Sequence, residues 1–286
     1  MTDKTIPAAA SSSPVSADDR YTVPALQRGL QLMMQFSRDD RELSGAELSR
    51  RLDLPRASVF RMLYTLEQGG FVESVGDSGN YKLGLAVLRL GFEYLASMEL
   101  TEHGRPVIED LRDRCGYSAH LVVRDGRDVV FIAKAASRNA MFHSIQVGAR
   151  LPAHATVLGR ILLANLDRVA LRQLYPDDPL PAYTSRTPTT LDQLVALIGQ
   201  HRAEGHGVSQ GGFETGISTI GAPVFSDRGE VVAALSITVP AQRVNDTELP
   251  GLVEQVQGAA RQLTERISHL PNRGAWSSKP TEPRAA

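Results

Sequence analysis

A single cysteine, Cys115, stands among the 286 residues. An internal disulfide is therefore excluded, and with no C-x-x-C and no Cys/His cluster a structural zinc is not expected. Such cysteine usage fits a reducing cytoplasm. An excess of one charge is also missing: 31 Lys and Arg against 32 Asp and Glu leave a net −1, so any contact with a polyanion must be local. No apolar run approaches the ~18 to 20 residues that cross a bilayer, and residues 1–20 have neither the basic nor the apolar part of a signal peptide. Secretion and membrane insertion are not expected. The common catalytic signatures (nucleophile elbow, P-loop, dinucleotide fingerprint, zinc-protease helix) are not read in the chain. Present instead is length for two domains at roughly 100 to 200 residues each, with 42% hydrophobic residues to supply their cores.

The ends, residues 1–21 and 271–286, are rich in Ala, Ser and Pro and are expected to be disordered tails. Between them the pattern changes near residue 100. Before it, Pro24 opens a helix over 24–37 with Leu26, Leu30, Met33 and Phe36 inward. Ser44-Gly45-Ala46-Glu47 has the form of a capping box before a short helix carrying Leu48 and Leu52. Pro55 opens a third helix with Val59, Met62, Leu63 and Leu66 inward and Gly69-Gly70 at its end. Two short helices with a tight connection, then Phe71 to Val75, a Gly76-Asp77-Ser78-Gly79-Asn80 turn and Tyr81-Lys82-Leu83 as a hairpin, read as a winged helix-turn-helix over 22–83. A linker helix over 84–101 carries Leu85, Leu88, Phe92 and Leu95 as one apolar stripe, suited to a dimer seam. From 102 to 270 hairpins alternate with helices, which argues for α+β. The expected elements are a helix from Gly104 to Arg114, strands at 120–124, 129–133, 141–147, 218–225 and 231–239, and helices at 155–165, 191–204 and from Leu249 to Ile267.

Several of these motifs, in this order, resemble the IclR family of bacterial transcriptional regulators over residues 22–270. The carriers are Val23-Pro24-Ala25-Leu26-Gln27-Arg28-Gly29-Leu30, Leu54-Pro55-Arg56-Ala57-Ser58-Val59-Phe60-Arg61-Met62-Leu63, Tyr81-Lys82-Leu83-Gly84, Leu151-Pro152-Ala153-His154-Ala155-Thr156 with Gly159, Gly216-Ile217-Ser218-Thr219-Ile220-Gly221-Ala222-Pro223-Val224 and Ala233-Ala234-Leu235-Ser236-Ile237. The resemblance implies a winged helix-turn-helix joined by a helix to a GAF-like effector-binding domain. It further implies a homodimer or dimer of dimers on operator DNA near catabolic genes, answering to a small organic acid or aromatic compound, with no cofactor. By position it implies an effector cup with Leu151, Val157 and Leu158 as apolar wall and Ser209, Thr219, Ser236 and Thr238 as polar anchors. Gly212 and Ser209 stand where the family often carries acidic residues.

On the DNA side the candidates are Arg28, Ser44, Arg56, Ala57, Ser58, Phe60, Arg61, Tyr64 and Lys82. Guanidinium groups at Arg56 and Arg61 can reach guanine O6 and N7 or phosphate; a solvated helix face is the alternative. Eight arginines and five acids between Arg20 and Arg61 leave a local net of +3. That predicts weak nonspecific binding per protomer and hence a need for two heads. Ser236 and Thr238 alternate with Leu235, Ile237 and Val239, which puts both hydroxyls on one strand face; a solvent-facing side is the alternative. His154 reads as a helix-start residue, His143 as a satisfied histidine able to reach an anion, and Cys115 as a small buried hydrophobe. A small-molecule enzyme or a scaffold using the second domain are the competing readings.

Overall fold

The computed structural model describes residues 22–37, 39–137, 145–177, 179–241 and 247–268. The chain divides into two units, one ending at Tyr94 and the other beginning at Leu95.

The first unit is three helices and a small sheet: α1 (Pro24–Met33), β1 (Leu43–Ser44), α2 (Gly45–Leu52), α3 (Arg56–Gln68), β2 (Val72–Ser74) and β3 (Asn80–Leu83). The strands pair antiparallel in the order β1-β3-β2, so the wing hairpin is tied to the start of α2. Leu32, Phe36, Leu43, Leu48, Val59, Leu63 and Val72 form the core, with Leu52, Met62 and Leu66 packed against it. The inward face expected for α3 is thus observed, but that of α1 is rotated: Leu26 and Leu30 are exposed and Leu32 is fully buried. Leu32 lies off the 26-30-33 row, and only the packing on α2 and α3 selects it. The capping box is half formed. Ser44 accepts from the Glu47 amide at 3.1 Å, while the Glu47 carboxylate turns to Arg50 and Arg51. Asp53, which ends α2, adopts φ 51°, the one non-glycine residue in the left-handed region among the described residues.

Helix α4 (Leu85–Ser97) carries the boundary between the units. The linker helix expected to continue to residue 101 breaks at Met98, and α5 (Glu99–Cys115) starts there rather than at Gly104. Gly104, mid-helix, is a point of close approach: a Cβ there would collide with Leu121 Cδ2.

The second unit continues with β4 (Ser118–Asp125), β5 (Asp128–Ala135), β6 (Arg150–Pro152), α6 (Val157–Leu162), a 3₁₀ turn (Leu163–Asn165), α7 (Arg168–Leu174), α8 (Leu191–Glu204), β7 (Gly207–Gln210), β8 (Ile217–Phe225), β9 (Val231–Pro240) and α9 (Leu249–Ser268). The expected strand at 141–147 falls largely outside the described residues, as does His143. On the edge of β5 away from β4 the paired strand is β6. One antiparallel sheet runs β6-β5-β4-β9-β8-β7, in accord with the α+β expectation. Alternation along the strands splits its side chains between two cores. Leu121, Ile220, Leu235 and Ile237 meet α5 and α9 on one face. Val122, Phe131 and Ala234 meet α6 and α8 on the other. Both faces are covered, so β8 and β9 read as near-continuous apolar runs in which a polar residue is conspicuous.

Candidate DNA-binding surface and ligand cup

Helix α3 presents Arg56, Ala57, Phe60, Arg61 and Tyr64 outward, all exposed, with Ser58 half-buried at its first turn. Phe60 and Tyr64, one turn apart, are 63% and 58% exposed, a cost that a groove-facing surface recovers on binding. Among the described residues neither Arg56 nor Arg61 has an acidic partner within ion-pair distance. Arg50 and Arg51 do: Arg51 takes both Asp40 oxygens and shares Glu47 with Arg50. Half of the positive charge counted on α2 and α3 is thus neutralised internally, and what remains is concentrated on α3. Lys82 in the wing pairs with Glu73 across the hairpin at 3.3 Å. Arg28 is exposed on α1, and Ser44 is engaged as a helix cap.

In the second unit the register of four strands assembles a polar row on one face of the sheet. Ser118, Thr238, Thr219 and Ser209 stand directly opposite one another across β4-β9-β8-β7. They form a rung of four hydroxyls on the face that meets α6. Ser118 Oγ accepts from the Ser137 amide at 3.0 Å and Ser209 Oγ from the Gly212 amide at 3.2 Å; in each, the hydroxyl proton stays available to donate outward. The next rung is Lys134, His120, Ser236, Gly221 and Gly207. Its two glycines admit α6. A Cβ on Gly221 would lie 2.8 Å from Leu158 Cδ2, and one on Gly207 2.5 Å from Val157 Cγ2. Val157 and Leu158 therefore pack onto the rung that carries Ser236. The third rung, Phe131, Val122, Ala234 and Pro223, is apolar apart from backbone. Leu151 pairs with Val129 on the edge strand β6, two rungs and three strands from Ser236, and packs against the same apolar cluster as Val157 and Leu158.

Among the described residues, two buried polar atoms of the second rung have no hydrogen-bond partner: Ser236 Oγ and His120 Nδ1. His120 is edge-on to Phe131, with ring centroids 5.5 Å apart. Burial, with Lys134 beside it, pushes its pKa down to about 4, so it is neutral near pH 7. At the rim, Tyr183 and Phe213 lie 5.0 Å apart and Tyr183 faces His154 at 6.0 Å. The 211–212 turn is held from above: Thr184 and Thr187 hydroxyls donate to the Gly212 carbonyl at 3.1 and 2.8 Å. Behind α6, Arg160 is buried, donating to His201 Nε2 and to the carbonyls of His154 and Ala155. Among the described residues it has no carboxylate within ion-pair distance. Burial lowers its pKa to about 10, and it remains a cation near neutral pH.

His154 Nε2 lies 2.9 Å from the Pro181 carbonyl, a structural role; the helix itself starts on Thr156, whose hydroxyl accepts from the Gly159 amide. Cys115 is half-buried, with its thiol pushed up by desolvation. Gly207-Val208-Ser209-Gln210-Gly211 spells G-x-S-x-G, so the pattern is present after all. Yet Ser209 lies within edge strand β7, which turns into β8, and no helix follows to form an elbow. His120 was legible as a strand residue sharing a face with Val122, but its partnership with Ser236 depends on β4 and β9 being neighbours.

Comparison with known proteins gives the identity of both units. The family described as "IclR helix-turn-helix domain" matches residues 25–76, and that described as "Bacterial transcriptional regulator IclR C-terminal" matches residues 92–265. The Pca regulon regulatory protein of Pseudomonas putida is 36% identical over 226 residues, covering 79% of this chain and 77% of that protein. A transcriptional regulator from Rhodococcus sp. RHA1 superposes with TM-score 0.76 at 32% identity, covering 86% of this chain and 99% of its own. An IclR homolog from Microbacterium hydrocarbonoxydans, solved with 4-hydroxybenzoate, gives 0.75 at 25% identity and covers 85% of this chain and 98% of its own. With both halves matched in order and by the expected architecture, the chain belongs to the IclR family of DNA-binding, ligand-responsive bacterial transcriptional regulators.

Proposed function

We propose that the second unit binds a small organic acid, aromatic in its simplest form, over the hydroxyl rung, and that occupancy alters the affinity of the helix-turn-helix for operator DNA beside catabolic genes. The observation that carries this reading is the in-register row of donors next to the unpartnered Ser236 Oγ, since a buried hydroxyl without a partner costs stability unless a ligand supplies one. Ser209, Thr219, Ser236 and Thr238 are the anchors, Val157 and Leu158 the wall, and Tyr183 with Phe213 an aromatic rim. Arg160 adds an uncompensated positive charge that favours an anion. A relative solved with 4-hydroxybenzoate supports the aromatic-acid class.

On the DNA side Arg56, Ala57, Ser58, Phe60, Arg61 and Tyr64 enter the major groove, with Arg28, Ser44 and Lys82 on the backbone. The working form is a homodimer or dimer of dimers in the cytoplasm, without catalysis. A ligand shifts DNA affinity only by binding one arrangement of the heads better than another, and couplings of this kind run to about 5- to 150-fold. The test is footprinting on the protein's own upstream DNA, repeated with a panel of aromatic and short-chain acids. The double variant Ser236→Ala, Thr238→Val should footprint normally and lose the response to the acid. A normal response would refute the anchors, and absence of any footprint would refute the regulator.

A further inference from the structure

The hydroxyl rung and the His120–Ser236 rung differ in chemistry, and the difference selects ligands. Every member of the first rung offers an O–H, and two of them already accept from backbone amides; this is a surface for an acceptor such as a carboxylate. The second rung offers a neutral imidazole, which carries one donor and one acceptor nitrogen, opposite a serine hydroxyl that is both. His120 and Ser236 are 3% and 1% exposed, face each other across β4 and β9, and leave Nδ1 and Oγ without partners. Successive residues on one strand face are about 6.8 Å apart, close to the span of a six-membered ring with substituents at opposite ends. Beyond them the apolar Val122, Phe131 and Ala234 offer no further polar contact.

We propose that His120 is a specificity-determining residue of the cup, paired with Ser236 to recognise a hydroxyl at the end of the ligand opposite its carboxylate. This rests on the reading of the sheet face as the effector cup. It narrows the ligand class from organic acids in general to ring acids bearing a polar substituent across the ring. An acid lacking the hydroxyl leaves both buried atoms unpaired and binds more weakly, because a site built to hydrogen-bond a hydroxyl discriminates strongly against the analogue without it.

The experiment is calorimetric titration of the full chain with 4-hydroxybenzoate and with benzoate. The wild type should prefer 4-hydroxybenzoate by at least about 10-fold. His120→Phe, which keeps a ring against Phe131 and removes both nitrogens, should bind the two acids within about 2-fold of each other. His120→Asn, which restores a polar atom near the Nδ1 position, should recover part of the preference. Should His120→Phe fail to fold, ¹⁵N-histidine spectra of the wild type decide: the ring resonances missing from His120→Asn should move with 4-hydroxybenzoate and not with benzoate. An unchanged preference in folded His120→Phe, or unmoved His120 resonances, overturns the role of His120 alone. A wild type that binds neither acid overturns the aromatic-acid cup and this inference with it.

Discussion

Arg61 and Arg56 differ from their neighbours Arg50 and Arg51 in one respect that bears on binding: among the described residues no carboxylate lies within ion-pair distance of them, so no such pair has to break before DNA contact. Arg61→Ala should cost about 1–3 kcal/mol of operator affinity if it reads a base, and should relax specificity at that base pair; competition titrations with single-base operator variants measure both. Arg51→Ala acts differently, removing the bonds to Asp40 and Glu47 that brace α2. At Asp53 the chain places a negative charge at the C-terminal end of α2 in left-handed backbone. Asp53→Asn keeps tolerance of that backbone and removes the charge, and should stabilise the first unit by about 0.3–1 kcal/mol in urea denaturation. His201 accepts from Arg160 through Nε2, which requires the neutral ring. Burial first, then Arg160, pushes its pKa down to about 4. Since the folded pKa lies below the unfolded value of about 6.5, the neutral histidine's contribution is fully present above pH 6.5. It is lost as pH falls toward 4, by an amount of order 2–3 kcal/mol. His201→Gln should flatten that part of the stability profile; an equally steep acid loss in the variant would assign it elsewhere.

At the scale of elements, the cup depends on how closely α6 lies on β7 and β8. Two glycines around α6, Gly159 and Gly221, tolerate a side chain to different degrees. A Cβ on Gly159 would meet the Ala153 carbonyl oxygen at 2.1 Å and its Cα at 2.2 Å, backbone atoms that cannot yield without moving the whole 152–156 turn. A Cβ on Gly221 would meet side-chain tips, Leu158 Cδ2 at 2.8 Å and Ile161 Cδ1 at 3.2 Å, which can shift by rotamer. Gly221→Ala should therefore cost about 1–3 kcal/mol and weaken ligand binding by displacing Leu158, whereas Gly159→Ala should cost more than that. Urea midpoints of the two variants give the order directly; the reverse order would mean that α6 is not held as described.

At the scale of the molecule, α4 leaves Leu85, Leu88 and Phe92 at 75%, 54% and 61% exposure. A row of large apolar side chains left in water along one helix is a surface that association removes from solvent. We expect a partner protomer to cover it, with isologous pairing setting two recognition helices about one helical turn of DNA, ~34 Å, apart. Phe92→Glu should shift the light-scattering mass toward the monomer at micromolar concentration and lower operator affinity together. A mass unchanged by that substitution, or a wild type already monomeric, would remove α4 as the seam.

The helix-turn-helix was legible from the chain because its signals are local. A cap at Ser44, Pro55 before α3, glycines after it and a 3.6-residue apolar period are set by contacts within a few residues. The inward set of α3 followed from that period, while α1 misled, because Leu26 and Leu30 have the right spacing but only packing against α2 and α3 decides that Leu32 is the residue buried. In the second unit the alternation of Ser236 and Thr238 with apolar neighbours fixed that both hydroxyls share a face. Which face, and what stands opposite, was not in the strand. The placement of β9 between β4 and β8 brought Ser118, His120, Thr219 and Ser209 beside them, and placed Leu151 on the far edge. Strand order is a long-range outcome of burying both faces of one sheet, and no window of sequence contains it. The amino-acid sequence by itself determined the elements and the kinds of side chain each offers, since those depend on neighbours along the chain. The tertiary structure alone decided which hydroxyls and which imidazole meet, because cross-strand partners are separated by up to 120 residues and are joined only by the register of the sheet.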